Sequence, residues 1–295
     1  MGLRICQLAR SFAVLVVLVL AVSCSPGRLA IPGELVVSAP DQNYILFWTA
    51  KGSRSLALSD LGVTGRLWGV QTASGGSIYG IPRSPDDPTG ELGGSALVRA
   101  GAGSSPQTLF SRPGARILDF SVVDGGFVVL LQPVGAGCAT VLWLDPSGAE
   151  RRSLPAPCGM NELAAADSAN VVVAGQQSPP LGRFMLFALG NGSFHELERG
   201  LHPVWFNRSQ LMFEDKRCIR KLTPGAGASA EVACGRRFLR AASADGRYVV
   251  ILEKMGEFFG DVSRVRVLDT ATNRTSTVID WSPGTKVSWR MPGAP

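Results

Sequence analysis

The strongest constraint on this chain is a unit of short strands and tight turns that returns every few dozen residues. Its clearest copy opens with the apolar stretch Phe238–Ala242 and the turn Ser243-Ala244-Asp245-Gly246-Arg247. Tyr248–Glu253 follows as a strand, then a loop and Val265–Leu268. Asp269-Thr270-Ala271-Thr272-Asn273 turns the chain into Ser276–Ile279. β-branched strands separated by Asp-Gly or Thr/Asn turns predict antiparallel hairpins. Further copies run from Ile117–Val122 to Arg151–Leu154, from Leu163–Ala166 to Phe194–Leu197, and from Val204–Phe206 to Glu231–Ala233. Weaker ones occupy Leu67 to Phe110 and Tyr44 to about Gly62. First strands recur at roughly 35 to 52 residues, near the spacing of propeller blades. One such sheet cannot bury both of its faces, so neighbours must stack around a ring. No stretch after Cys24 carries a 3.6-residue period, and 35 Gly and 19 Pro punctuate the chain. The expected fold is all-β: a propeller of four-stranded antiparallel blades, six being the best count and seven the alternative.

Ala242-Ser243-Ala244-Asp245-Gly246-Arg247-Tyr248-Val249-Val250 resembles the repeat of the TolB-like propellers, which reads apolar, Ser-Pro-Asp-Gly, apolar strand; here Ala244 stands in place of the usual Pro. Val204-Trp205-Phe206-Asn207-Arg208-Ser209-Gln210-Leu211 keeps the rhythm but lacks the Asp-Gly pair. The resemblance spans most of residues 44–290 and implies a six-bladed ring and protein partners. At the C-terminus, Lys286-Val287-Ser288-Trp289-Arg290 reads as the first strand of a repeat with nothing after it. The first copy has only a weak first strand, Leu35–Ser38. The C-terminal strand is therefore expected to complete the first blade as a clasp.

Cysteine placement supplies a check. Cys138 and Cys158 flank the third and fourth strands of one copy, and Cys218 and Cys234 hold the same places in another. In an antiparallel hairpin the start of one strand faces the end of the next. Of the three pairings open to four cysteines, the repeat selects Cys138–Cys158 and Cys218–Cys234. No Cys-x-x-Cys suggests a metal site instead.

The N-terminus predicts export. Arg4 and Arg10 precede an apolar run, Phe12 to Val22, of 11 residues. As a helix it spans roughly 16 Å, about half of a bilayer core, so it suits a signal peptide and not a membrane span. Ala21-Val22-Ser23-Cys24 resembles a lipobox, although Ala21 stands where Leu is usual. That resemblance implies cleavage after Ser23 and a lipid anchor on Cys24 in a bacterial cell envelope. The expected organisation is a signal peptide over 1–23, a tether and first strand over 24–42, one propeller over 43–291 and a tail over 292–295. Loss of Arg4 and Arg10 lowers the net charge from +6 to +4, with no block of like charges, so no nucleic-acid footprint is expected. A monomer is expected, meeting the membrane through its lipid.

A search for chemistry returns little. His195 falls on an outer strand, and His202 precedes Pro203 at a junction between copies, where structural roles suffice. No Gly-x-Ser-x-Gly elbow, Walker loop or dinucleotide fingerprint occurs. Asp86, Asp87 and Glu91 share a Pro-rich loop, but without the alternating pattern of a calcium loop a solvated role is the default. Phe258 and Phe259, adjacent in the loop Met255–Asp261, form the best candidate partner contact. First strands carrying few polar groups favour a non-enzymatic interaction scaffold for a protein or glycan, with no catalytic residue, metal or cofactor expected. The alternative is a propeller enzyme of the lactonase or cyclotransferase type, with its site in the central channel.

Overall fold

The computed structural model describes residues 29–39, 42–73, 76–83, 94–101, 103–135, 137–177, 183–235, 237–254, 263–281 and 285–290. Cys24, Asp86, Asp87, Glu91, Phe258 and Phe259 lie outside them. Within Ile31–Pro295 the described strands form six four-stranded antiparallel sheets, a six-bladed β-propeller.

Blade 1 contains β1 (Glu34–Ser38), β2 (Tyr44–Thr49) and β3 (Gly52–Ala57), and blade 2 contains β4 (Arg66–Thr72), β5 (Ile78–Arg83), β6 (Ala96–Ala100) and β7 (Gln107–Ser111). Blade 3 is β8 (Ala115–Val123), β9 (Gly126–Pro133), β10 (Thr140–Leu144) and β11 (Glu150–Pro155). Blade 4 is β12 (Met160–Ala165), β13 (Val171–Gln176), β14 (Phe184–Gly190) and β15 (Ser193–Arg199). Blade 5 is β16 (Leu201–Trp205), β17 (Leu211–Asp215), β18 (Cys218–Leu222) and β19 (Ala230–Cys234). Blade 6 is β20 (Arg237–Ala242), β21 (Tyr248–Lys254), β22 (Ser263–Asp269) and β23 (Arg274–Trp281). The last strand, β24 (Lys286–Arg290), returns to blade 1.

The blades stack through shared apolar layers, because their middle strands are apolar on both faces. In β9, Phe127, Val129 and Leu131 pack toward blade 2, while Val128 and Leu130 pack toward blade 4. A strand buried on both sides reads as a continuous apolar run, which is the pattern of Phe127–Leu131. The Ser243–Arg247 turn shows why the repeat is written as it is. Ser243 Oγ donates to Asp245 Oδ1 at 2.5 Å and accepts from Tyr248 N–H at 2.9 Å. Asp245 Oδ1 also accepts from Arg247 N–H at 3.0 Å. Asp167 and Asn207 cap the equivalent turns of blades 4 and 5, so an Asx side chain can stand in for the full motif.

The ring closes as a clasp. β24 pairs antiparallel with β1, from Glu34 opposite Arg290 to Ser38 opposite Lys286, giving blade 1 the order β24-β1-β2-β3. Leu35–Ser38 is therefore the second strand of its blade, since β24 holds the innermost place. Both disulfides form as the repeat requires: Cys138–Cys158 and Cys218–Cys234, with Cα separations of 4.3 and 4.0 Å.

Candidate functional site

The innermost strands β24, β4, β8, β12, β16 and β20 touch in that order and close on one another around the axis. Each places at least one polar side chain at a central cavity of about 110 Å³: Lys286 and Ser288, Gln71, Asp119, Glu162, His202 and Arg240. This corrects the expectation that the first strands carry few such groups. Single polar residues within apolar strands escape a reading based on catalytic spacing, because each belongs to a different blade.

The local cause is a set of β-bulges. Five inner strands break register against their neighbours at this level: between Trp68 and Gln71, Ile117 and Asp119, Met160 and Glu162, Leu201 and Val204, and Leu239 and Ala241. A bulge inserts an unpaired residue and re-aims the side chains beside it. His202 and Arg240 are themselves among the inserted residues. His202 also has φ of 51°, in the left-handed region, which costs a non-glycine residue on the order of 1 kcal/mol. The placement of His202 at a junction between repeats holds, and its side chain lines the channel.

These side chains also stitch β4 to β8, β8 to β12 and β12 to β16. Gln71 donates to Phe120 O at 2.5 Å and accepts from Val122 N–H at 3.0 Å. Asp119 accepts from Leu163 N–H at 3.2 Å, and Glu162 accepts from His202 N–H at 2.7 Å. His202 Nδ1 lies 2.6 Å from Glu162 Oε1, and its Nε2 lies 4.0 Å from Glu214 Oε2, which reaches in from β17. Lys286 Nζ lies 3.5 Å from Asp119 Oδ2. Among the described residues, two buried atoms in this cluster have no hydrogen-bond partner, Glu214 Oε2 and Arg240 Nε.

Burial dominates the electrostatics. It raises the Glu214 pKa to about 7 against the pull of Arg240, and it raises Asp119 despite Lys286. For Glu162 burial is outweighed by the hydrogen bond and charge of His202 and by Lys286, which lower its pKa to about 2. Burial lowers the pKa of His202 more than its hydrogen bond and attraction to Glu162 raise it, and Arg240 and Lys286 push the same way as burial. The consistent arrangement is a neutral imidazole donating from Nδ1 to an ionised Glu162, with its Nε2 lone pair facing Glu214. The edge of the Phe238 ring meets the imidazole at a centroid distance of 6.0 Å.

A second cavity of about 260 Å³ adjoins the first through Glu162 and Lys286, and Trp68, Arg83, Arg116 and Asn161 complete much of its wall. The Arg83 guanidinium lies 4.2 Å from the Trp68 ring centroid and Lys286 Nζ lies 4.8 Å from it. Here cations outnumber carboxylates.

His195 is elsewhere: it is exposed on β15, and its Nε2 lies 2.9 Å from Gly190 O. Asp269 accepts from Ala271 N–H at 3.0 Å and pairs with Arg247, as a turn residue does. Among the described residues one group of possible metal ligands converges, Cys218, Glu231 and Cys234, but its two sulfurs are joined as a disulfide. No described helix is long and apolar enough to cross a membrane.

No family profile matches the chain, and no curated protein matches it in sequence. Solved structures do match in shape. TolB from Acinetobacter baumannii aligns with a TM-score of 0.59 at 10% identity, over 92% of this chain and 69% of that one. An oligogalacturonate lyase in complex with manganese aligns with a TM-score of 0.56 at 12% identity, over 83% and 78%. A PQQ-bound aldose sugar dehydrogenase from Streptomyces coelicolor aligns with a TM-score of 0.51 at 15% identity, over 88% and 92%. At such identities the likeness establishes the fold alone, a β-propeller.

Proposed function

We propose that this chain is a binding protein of the bacterial cell envelope, tethered at the membrane by a lipid on Cys24, with the central channel as its ligand site. The observation that carries the reading is the convergence of polar side chains from all six inner strands on one cavity, with Glu214 buried behind His202. Stability alone gives no reason for such a cluster, because apolar side chains would fill a channel without desolvating charges. The site reads as a pocket for a ligand that enters the ring, in preference to a broad scaffold surface. The TolB likeness leaves room for a protein segment as the occupant.

Native mass spectrometry of the full chain recovered from a bacterial envelope tests the reading. The wild type is expected to retain a ligand that Arg240→Met and Glu214→Gln lose, and Cys24→Ser is expected to lack the mass of a diacylglyceryl group. A ligand retained equally by the channel variants would overturn the channel assignment, and an unlipidated wild type would overturn the anchor.

An enzymatic reading has one specific support. His202 sits between an ionised Glu162 and a Glu214 that titrates near neutrality, which is the equipment for moving a proton. Turnover of a bound ligand by the wild type and not by His202→Asn would establish it.

A further inference from the structure

Resting on the lipid anchor proposed at Cys24, we infer that the propeller lies with its turn face on the lipid headgroups and its channel mouth turned away from the membrane. The direction of the inner strands defines the two faces. Asp119 accepts from Leu163 N–H, Ser121 Oγ from Ala165 N–H and Glu162 from His202 N–H, and the Trp205 indole donates to Ala164 O. β8, β12 and β16 therefore run side by side in one direction. β24 and β4 do the same, with Lys286 beside Trp68 and Ser288 bonded to Val70 O. The cavity walled by Trp68, Arg83 and Lys286 lies toward the strand starts. At the strand ends the chain turns back into each blade, and these turns meet one another, since Arg208 of blade 5 pairs with Asp124 of blade 3.

The chain enters the ring at the turn face. Glu34, the first residue of β1, stands opposite Arg290, the last of β24. Ile31 follows Cys24 by seven residues, so the connection reaches at most about 25 Å when fully extended. To bring the mouth to the bilayer it would have to pass about 10 Å outward across β2 and β3 and then about 20 Å along β2. That path is longer than the connection.

The chemistry of the turn face suits contact without insertion. Its tips, Asp124-Gly125, Asp167–Asn170, Asn207–Gln210 and Ser243–Arg247, are polar or small throughout. Asp124 pairs with Arg208 and Asp269 with Arg247, so acids and bases balance there, and no excess of anionic lipid is needed. Among the described residues the exposed large apolar side chains are Val134, Phe184 and Phe238, and all lie toward the mouth. Val134 follows β9 as it returns from its turn, Phe184 opens β14, and Phe238 stands near the start of β20. Left to themselves these residues would favour the opposite orientation, which the short connection forbids.

Fluorescence quenching of the lipidated full chain on phosphatidylcholine vesicles tests the inference. Ala244→Cys on the turn face and Val134→Cys toward the mouth each take a thiol-reactive fluorophore, since the cysteines at 138, 158, 218 and 234 are held in disulfides. A spin label on the lipid headgroups, which quenches at short range, is expected to quench the fluorophore at position 244 several-fold more strongly than the one at 134. Inserting about ten Gly and Ser residues after Gly27 makes the connection longer than the path round the blade and should shrink that difference. Equal quenching at the two positions, stronger quenching at 134, or a difference that the longer connection leaves unchanged would overturn the orientation. A chain that floats with the vesicles and gives one of those results keeps the anchor reading, whereas a chain that does not float overturns the anchor itself.

Discussion

The indole N–H of Trp289 donates to the carbonyl of Pro32 at 2.8 Å across 257 residues of sequence, and this bond lies at the seam where the propeller closes. Around it, Ser288 Oγ donates to Val70 O at 3.1 Å and Arg290 pairs with Glu34 at 3.4 Å. The final strand thus ties to β1, the second strand of its own blade, and to β4, the inner strand of blade 2.

Deleting residues 285–295 should abolish cooperative folding or lower the melting temperature by more than 10 °C, since a ladder, buried Val287 and the Trp289 bond are lost together. The milder Trp289→Phe removes one hydrogen bond and should cost about 1 kcal/mol in urea unfolding. A truncated chain that melts like the full one would show that blade 1 does not need its inner strand.

The two disulfides should contribute separately. Their sequence separations of 20 and 16 give each roughly 3 kcal/mol when loop-closure entropy is the main term. Cys138→Ser with Cys158→Ser should lower stability by about that amount, and the second pair should do likewise. Additive losses are expected, since the bonds lie in blades 3 and 5 with blade 4 between them. Peptide mapping without reductant checks the pairing, and a Cys138–Cys218 link would contradict the blade register.

Much of the fold was legible because its cause is local. The Ser243–Arg247 turn bonds to itself, the strands alternate with turns, and the cysteine pairs sit where any antiparallel hairpin would place them. Even the clasp could be read from a strand left without a blade. The channel was not legible, for a physical reason. Asp119, Glu162, His202 and Arg240 are scattered one to a strand, and bulges rather than motifs aim them at a common axis. The available signal was a polar residue on the inner strand of every blade, and it emerges only when the copies are laid side by side. Glu214 gave no such signal, because it reaches the site from the second strand of its blade.

Two neighbouring glycines should respond very differently to alanine. Gly125 has φ of 86° with open space where a Cβ would sit, so Gly125→Ala should cost only about 1–2 kcal/mol of backbone strain. At Gly126, with φ of 145°, a Cβ would lie 2.0 Å from Leu144 O. Gly126→Ala must displace β10, and it should cost several times more or prevent expression of folded protein. Equal unfolding midpoints for the two variants would refute this account of the β8–β9 hairpin.

The channel also predicts a pH dependence with a definite sign. Glu214 has its folded pKa raised from 4.5 to about 7, so the folded state binds this proton more tightly than the unfolded chain does. Its contribution is fully present below about pH 4.5 and is lost as pH rises to 7, worth roughly 2–3 kcal/mol over that window. His202 works against it, because a lowered imidazole pKa makes stability rise with pH up to its unfolded value. The wild-type curve alone therefore mixes the two. Glu214→Gln removes the first while His202, Glu162 and Arg240 remain. The stability of the variant relative to wild type should climb steadily between about pH 4.5 and 7 and then level off. Below that window both proteins should weaken together, as Glu162 loses the stabilisation present above pH 4.5 while pH falls toward 2. Urea unfolding at half-unit pH intervals measures the difference directly. Parallel curves for variant and wild type would mean that Glu214 does not titrate in the channel near neutral pH, and the proton-transfer reading of His202 would lose its acid partner.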